Sequence, residues 1–196
     1  MKLTKTIAPL SVAAMMAMTA GAAHAEAQAY TLDSSHSQIV FHYEHLGFST
    51  TYGMFSGFEG EIMFDQEDPA NSSVTVSMPA TSMITGWEER FQHFMTGDFF
   101  GAEENEMITF TSTGIEVTGD TTANITGDLT MNGVTKEVVL EAELNQTGTH
   151  PMAGQEWAGF DATTTLKRSD FDMGMFVPAV SDEVEVMISI EAMKAQ

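Results

Sequence analysis

Along most of the chain, apolar and polar residues alternate with a period of two, the mark of strands that bury one face. From Gln38 to Glu44, Ile39, Phe41 and Tyr43 fall on one side while Gln38, His42 and Glu44 fall on the other. Near the C-terminus, Val184, Val186, Ile188, Ile190 and Ala192 alternate with Glu183, Glu185, Met187, Ser189 and Glu191. Ser73 to Met78, Met107 to Val117, Ala123 to Leu129, Val134 to Leu144 and Trp157 to Leu166 read as further strands. Asn132-Gly133 predicts a two-residue hairpin turn, because both residues tolerate the positive φ that such a turn demands. It should join Ile125 to Thr130 with Val134 to Leu140.

Two segments depart from simple alternation. Gly53 to Gly60 is strand-like but holds three glycines, which predicts sharp bending or the close approach of another backbone. From Thr85 to Met95 the period changes: Trp87, Phe91, Phe94 and Met95 recur at helical spacing, with Glu88 and Glu89 near the start, and predict a short amphipathic helix. Asp65 to Asn71 and Gly148 to Gly154 read as loops. The expected fold is all-β, with about eight antiparallel strands and one short helical insertion, which suits a closed barrel or a sandwich. The pattern alone does not separate these two.

The N-terminus changes the picture of where the chain works. Lys2 and Lys5 precede an apolar run from Ile7 to Ala20, and Ala23-His24-Ala25 supplies small residues for cleavage, so residues 1–25 are expected to be a cleaved secretory signal. The remaining 26–196 would form one domain, free in the periplasm and without stable membrane insertion. There is no cysteine, so neither disulfides nor a lipoprotein anchor contribute. Lys and Arg number 7 against 28 Asp and Glu. Without Lys2 and Lys5 the formal charge is −23, a field that repels nucleic acid and anionic membrane surfaces.

Candidate chemistry is sparse. His36, His42 and His45 lie close together, but on an uninterrupted strand His45 would face away from the other two, and neither cysteine nor an HExxH-like helix is present. No metal or other cofactor is expected. A buried, hydrogen-bonded His36 near a barrel rim is the expectation instead. Asp33, Ser34 and His36 contain the residue types of a hydrolase, yet no Gly-x-Ser-x-Gly elbow accompanies them, and Ser34 and Ser35 are better read as a turn. No catalysis is expected; the competing reading is an enzyme with His36 or His45 as general base. Cations are scarce enough for Arg90 and Arg168 to stand out as candidates for a polar or phosphorylated head group, with Asp170 as the expected local salt-bridge partner of Arg168.

Tyr30 to Ser37, His45, Gly53, Phe55, Gly57, Phe58 and Gly60, Asp98 to Phe100, Gly127 to Lys136, Ala158 to Phe160 and Arg168 to Phe171 occur in an order that resembles the YceI-like family of polyisoprenoid-binding periplasmic proteins. One departure is Asp172, where that family commonly has glycine. The resemblance implies a lipocalin-like extended antiparallel barrel, closed at one end by a helix. It implies a carrier that holds an isoprenoid or other long-chain lipid in an elongated apolar cavity without catalysis. With 13 Phe and 16 Met the chain can build soft, adaptable walls. The candidate wall residues are Phe41, Tyr43, Phe48, Phe55, Phe58, Trp87, Phe91, Phe94, Phe110, Phe160, Phe171, Met173 and Phe176. His36, His45, Arg90, Arg168 and Asp170 are the candidate head-group contacts. A solid interior filled by the same aromatics is the competing reading, and a homodimer is compatible with the sequence.

Overall fold

The structure, a computed structural model, describes residues 26–103 and 107–196. The expected signal segment over 1–25 lies outside the described residues. Among the described residues, eleven antiparallel strands form one sheet, and eight of them close into a ring. In chain order they are β1 (Gln28–Leu32), β2 (Gln38–His45), β3 (Ser49–Ser56), β4 (Glu59–Phe64), β5 (Ser73–Pro79), β6 (Met83–Ile84), β7 (Met107–Val117), β8 (Thr122–Met131), β9 (Val134–Thr149), β10 (Glu156–Lys167) and β11 (Glu183–Lys194). The ring runs β1-β4-β5-β7-β8-β9-β10-β11 and returns to β1. One helix, α1 (Glu88–Phe94), interrupts the strands. The architecture is therefore the barrel rather than the sandwich.

One edge of β11 is shared between two partners. Ala192 to Lys194 pair with β1 and close the ring, whereas Glu185 to Ser189 pair with β2. Strands β2, β3 and the two-residue β6 thus add a flap at the end where β11 begins. The Asn132-Gly133 hairpin has the expected register, with Met131 opposite Val134 and Ile125 opposite Leu140, and both turn residues have positive φ.

Gly57 and Gly60 show the bending and the close backbone approach expected of the 53–60 segment, whereas Gly53 is met by a side chain. Gly57 turns the chain between β3 and β4 with φ +69. Gly60 lies where a Cβ would stand 2.5 Å from the Thr75 carbonyl oxygen of β5. Gly53 and Gly127 lie under the rings of Phe41 and Phe110, which occupy the space a Cβ would need. Helix α1 starts later than the periodicity suggests, because Gly86 takes φ +75 and Trp87 is extended.

Two irregularities decide which residues face inward. On β7 the register shifts between Ser112 and Gly114. Ile108 and Phe110 point inward before it, and Ile115 and Val117 after it, so the bulge changes the parity of the inner face. A second shift, at Gly159/Phe160 opposite β9, lets β9 run on to Thr149, five residues past the end its alternation suggests.

Candidate functional site

Inside the ring lies a cavity of about 830 Å³, within the size range of small-molecule pockets. Its long walls come from alternate residues of β8 to β11, including Ile125, Leu129, Val138, Leu140, Leu166, Val184 and Ile188. These side chains point inward yet are only half-buried. A solid interior would bury them, since well-packed cores leave few voids larger than a water molecule. The opposite wall is denser: Phe58 is 1% exposed, and Phe41, Phe55, Ile62, Phe64 and Met78 are buried. Linked aromatic contacts join Phe41 to Phe55 and Phe55 to Phe100. The cavity reaches from the mouth beside α1 to the β7–β8 turn, where Gly119, Asp120 and Thr121 line its far end.

Of the residues picked out as walls, Phe41, Tyr43, Phe55, Phe58, Trp87, Phe94, Phe110, Phe160, Met173 and Phe176 line this cavity. Three do not. Phe48 is 89% exposed in the β2–β3 turn, because the left-handed residues Leu46 and Gly47 reverse the chain before it. Phe91 packs against the core from the helix without reaching the cavity. Phe171 is buried in a separate seat, in a short 3-10 turn (Arg168–Phe171) after β10, where its carbonyl accepts a hydrogen bond from Asn132 Nδ2. Alternation locates the aliphatic walls of β8 to β11, but aromatic content draws attention away from them.

Polar groups line both ends of the cavity, with Asp120, Thr121 and Glu143 at the far end and the cationic groups at the mouth. Tyr43, His45, Thr51, Glu89, Arg90, His93 and Arg168 all line the cavity there. Burial raises the Tyr43 hydroxyl pKa above its ordinary value, opposed by the nearby positive charges of Arg90 and Arg168 and by a hydrogen bond with Thr51. The hydroxyl therefore stays protonated as a neutral donor and acceptor. Arg90 donates from Nη1 to the Thr85 carbonyl at 3.2 Å, and its guanidinium sits 5.8 Å from the Trp87 ring centre.

Arg168 corrects an expectation. Its partner is not Asp170, which is exposed. Nε donates to the Ser181 carbonyl at 2.9 Å, Nη1 to those of Met173 and Met175 at 2.7 and 3.3 Å, and Nη2 to that of Val180 at 3.2 Å. Burial lowers its pKa, with Asp182 and Tyr43 opposing, though arginine remains charged. The side chain is a clamp on the 173–181 loop, and Asp182 in turn accepts from Ser169 N and Oγ at 2.8 and 2.7 Å. Asp172, standing where the resemblance leads one to expect glycine, takes the left-handed conformation (φ 58) that closes this turn, one that Asp tolerates better than most residues.

His36 is a second correction. It is hydrogen-bonded as expected but exposed, because it sits in the turn between β1 and β2 rather than on a strand. Its Nδ1 lies 2.6 Å from Asp33 Oδ2, and Ser35 Oγ donates to Asp33 Oδ1 at 2.6 Å. The carboxylate raises the His36 pKa, and the Ser35 and His36 hydrogen bonds lower that of Asp33. Glu191 completes a carboxylate and imidazole group with this pair. His36 and Asp170 both stand outside the cavity, whereas His45 lines it and His42 pairs with Glu185 on the outer face.

A closed antiparallel ring with an apolar interior and a polar mouth under a short helix defines a lipocalin-like barrel. The sequence matches the YceI-like domain over residues 30–192, and the chain belongs to that family. A UPF0312 protein of Pseudomonas aeruginosa is 38% identical over 192 residues, covering 98% of this chain and 99% of its own. The crystal structure of a Campylobacter jejuni YCEI protein superposes with a TM-score of 0.70 at 30% identity, covering 78% of this chain and 90% of that one. A polyisoprenoid binding domain from Saccharophagus degradans, implicated in plant cell wall breakdown, shares the fold at a TM-score of 0.67 and 15% identity, covering 86% of this chain and 99% of that one. Among the described residues, no helix is long and apolar enough to cross a membrane.

Proposed function

We propose that this protein is a periplasmic carrier, exported by a cleaved signal over residues 1–25, that sequesters one long apolar lipid in its barrel without a covalent step. The observation that carries the reading is the face of half-buried aliphatic side chains that β8 to β11 turn to the 830 Å³ cavity. Such walls are left wanting contacts that an apolar chain would supply. Each methylene that moves from water into this interior contributes about 0.8 kcal/mol, before ordering costs are subtracted. A polyisoprenoid suits the cavity because it is long, flexible and unreactive, and the Saccharophagus degradans relative in fold is described as polyisoprenoid-binding. Its polar head would sit at the mouth, within reach of Tyr43, His45, Thr51 and Arg90, while Arg168 acts by holding the adjacent loop.

The test is reconstitution. The protein, carrying Trp157→Phe so that Trp87 at the mouth is the one tryptophan, is stripped of lipid and titrated with a polyprenol, with binding followed by its fluorescence. Saturable, equimolar binding that straight-chain detergent does not match is the expected result. Absence of saturation, or an equal response to any amphiphile, would count against a dedicated carrier.

A further inference from the structure

The mouth of the cavity is surrounded by apolar side chains held out into water. Phe48 is the extreme case, and Leu46, Trp87, Phe176 and Val177 are also exposed. They come from separate elements that the fold draws together. The Leu46 amide donates to the Ala179 carbonyl at 3.0 Å, and His45 bridges Val180, so the β2–β3 turn lies against the 174–180 loop. Phe176 reaches across to His93 of α1, with ring centres 6.3 Å apart, and both Phe176 and Trp87 line the cavity. The exposed rim is thus continuous with the cavity interior.

Two features set this rim apart from an incidental scatter of apolar residues. Leu46 and Phe176 both adopt left-handed backbone conformations, with φ of 56 and 66, which are unfavourable for residues other than Gly, Asn and Asp. Backbone strain is therefore spent at two positions that display a large apolar side chain. The second feature is charge. In a chain with 28 acidic residues, the stretches Leu46 to Ser49 and Met173 to Ser181 carry none. Charge at the rim lies on α1, where Glu88, Glu89 and Arg90 follow Trp87; the two uncharged loops that carry Leu46, Phe48, Phe176 and Val177, on an otherwise strongly acidic body, suit a surface that is apolar just beneath a head-group layer with no net charge.

We propose that this rim docks on the surface of a zwitterionic phospholipid bilayer, so that an apolar chain passes between bilayer and cavity without crossing water. This rests on the carrier reading and adds where loading takes place. Docking is peripheral: a few side chains enter the interface, and the strongly acidic body makes an anionic surface the poorer target.

The test uses the protein with vesicles of phosphatidylcholine alone, separated by flotation, beside a Leu46→Asn/Phe48→Ser double variant. Asn suits the left-handed position, and neither residue lines the cavity, so the fold and the lipid content are expected to persist. The expected result is co-flotation of the unmodified protein, a roughly tenfold or greater loss of partitioning in the variant, and weaker binding when phosphatidylglycerol is added. Partitioning unchanged in the variant, or no co-flotation of the lipid-loaded protein, would overturn the proposal. So would a dimer in sedimentation velocity that the double variant dissociates, since the rim would then serve a second copy of the chain. Failure of the carrier reading has a different signature: a protein that floats with vesicles but contains and accepts no apolar chain.

Discussion

Phe171 and Leu140 are both apolar and both point away from water, yet their surroundings are opposite. Phe171 is 2% exposed, seated beneath a loop that Arg168 clamps through four carbonyl contacts and that Asn132 holds by the Phe171 carbonyl. Leu140 lines the cavity and is only half-buried. The first belongs to a packed seat beside the mouth, the second to a wall that faces the open cavity. The contrast separates what makes this barrel stable from what makes it useful. Stability resides in the ring of strands, the dense aromatic side and the clamped loop; capacity resides in the aliphatic face of β8 to β11.

Truncation should separate the two regions most strongly. Phe171→Ala is expected to cost about 3–5 kcal/mol, the usual penalty for a cavity opened in a filled site. Leu140→Ala in lipid-free protein should cost less than about 2 kcal/mol, the low end for such a change, because the space beside it is already empty. Urea unfolding of both variants measures the difference, and equal losses would mean that the interior is not hollow. The strand seams should be less forgiving than the wall. Gly60→Ala forces a Cβ against the Thr75 carbonyl oxygen and should destabilise by about 1–3 kcal/mol, read in the same unfolding experiment.

Enlarging a wall residue sharpens the comparison from the other side. Leu140→Phe should change the stability of the lipid-free protein by less than about 1 kcal/mol, where a filled core would lose about 1–3 kcal/mol. It should also shift the preferred cargo toward shorter chains in a competition between polyprenols of different length.

The smallest expected effect lies outside both regions. The exposed His36–Asp33 pair contributes fully below the unfolded histidine value of 6.5, and this contribution fades as pH rises through the raised His36 pKa. At the acid end it is lost as pH falls through the depressed Asp33 pKa, below the ordinary 3.8. NMR titration of the His36 ring should give a pKa above 6.5 that returns toward that value in Asp33→Asn. An unshifted ring in the unmodified protein would remove the pair from the description.

Much of this barrel is legible in the sequence because alternation, turns and glycines agree. Gln38 to Glu44 and the C-terminal strand show their inner faces directly, and Asn132-Gly133 fixes the β8–β9 register. The flap is not legible: β6 has only two residues, and nothing local shows that the edge of β11 divides between β1 and β2. The parity change on β7 escapes for a related reason, since a bulge is a property of pairing rather than of one strand.

The candidate site was legible by face but not by depth. Periodicity shows that Leu140 and Val186 point inward; it cannot show whether packed side chains or empty space lie opposite. Aromatic content placed most wall residues, yet it also picked Phe48 and Phe171, which differ from the wall only through tertiary context. Arg168 stood out by scarcity of charge, but its carbonyl partners lie on a loop brought back by the chain's return to β11.

Native mass spectrometry of the protein as purified from cells, followed by solvent extraction, tests the hollow barrel most directly. The expected result is a single noncovalent adduct per chain that solvent releases as a prenyl or similarly long apolar lipid, leaving a folded protein that rebinds it. A protein that carries no adduct, accepts none, and whose Leu140→Phe variant is destabilised as a filled core would be contradicts the carrier reading.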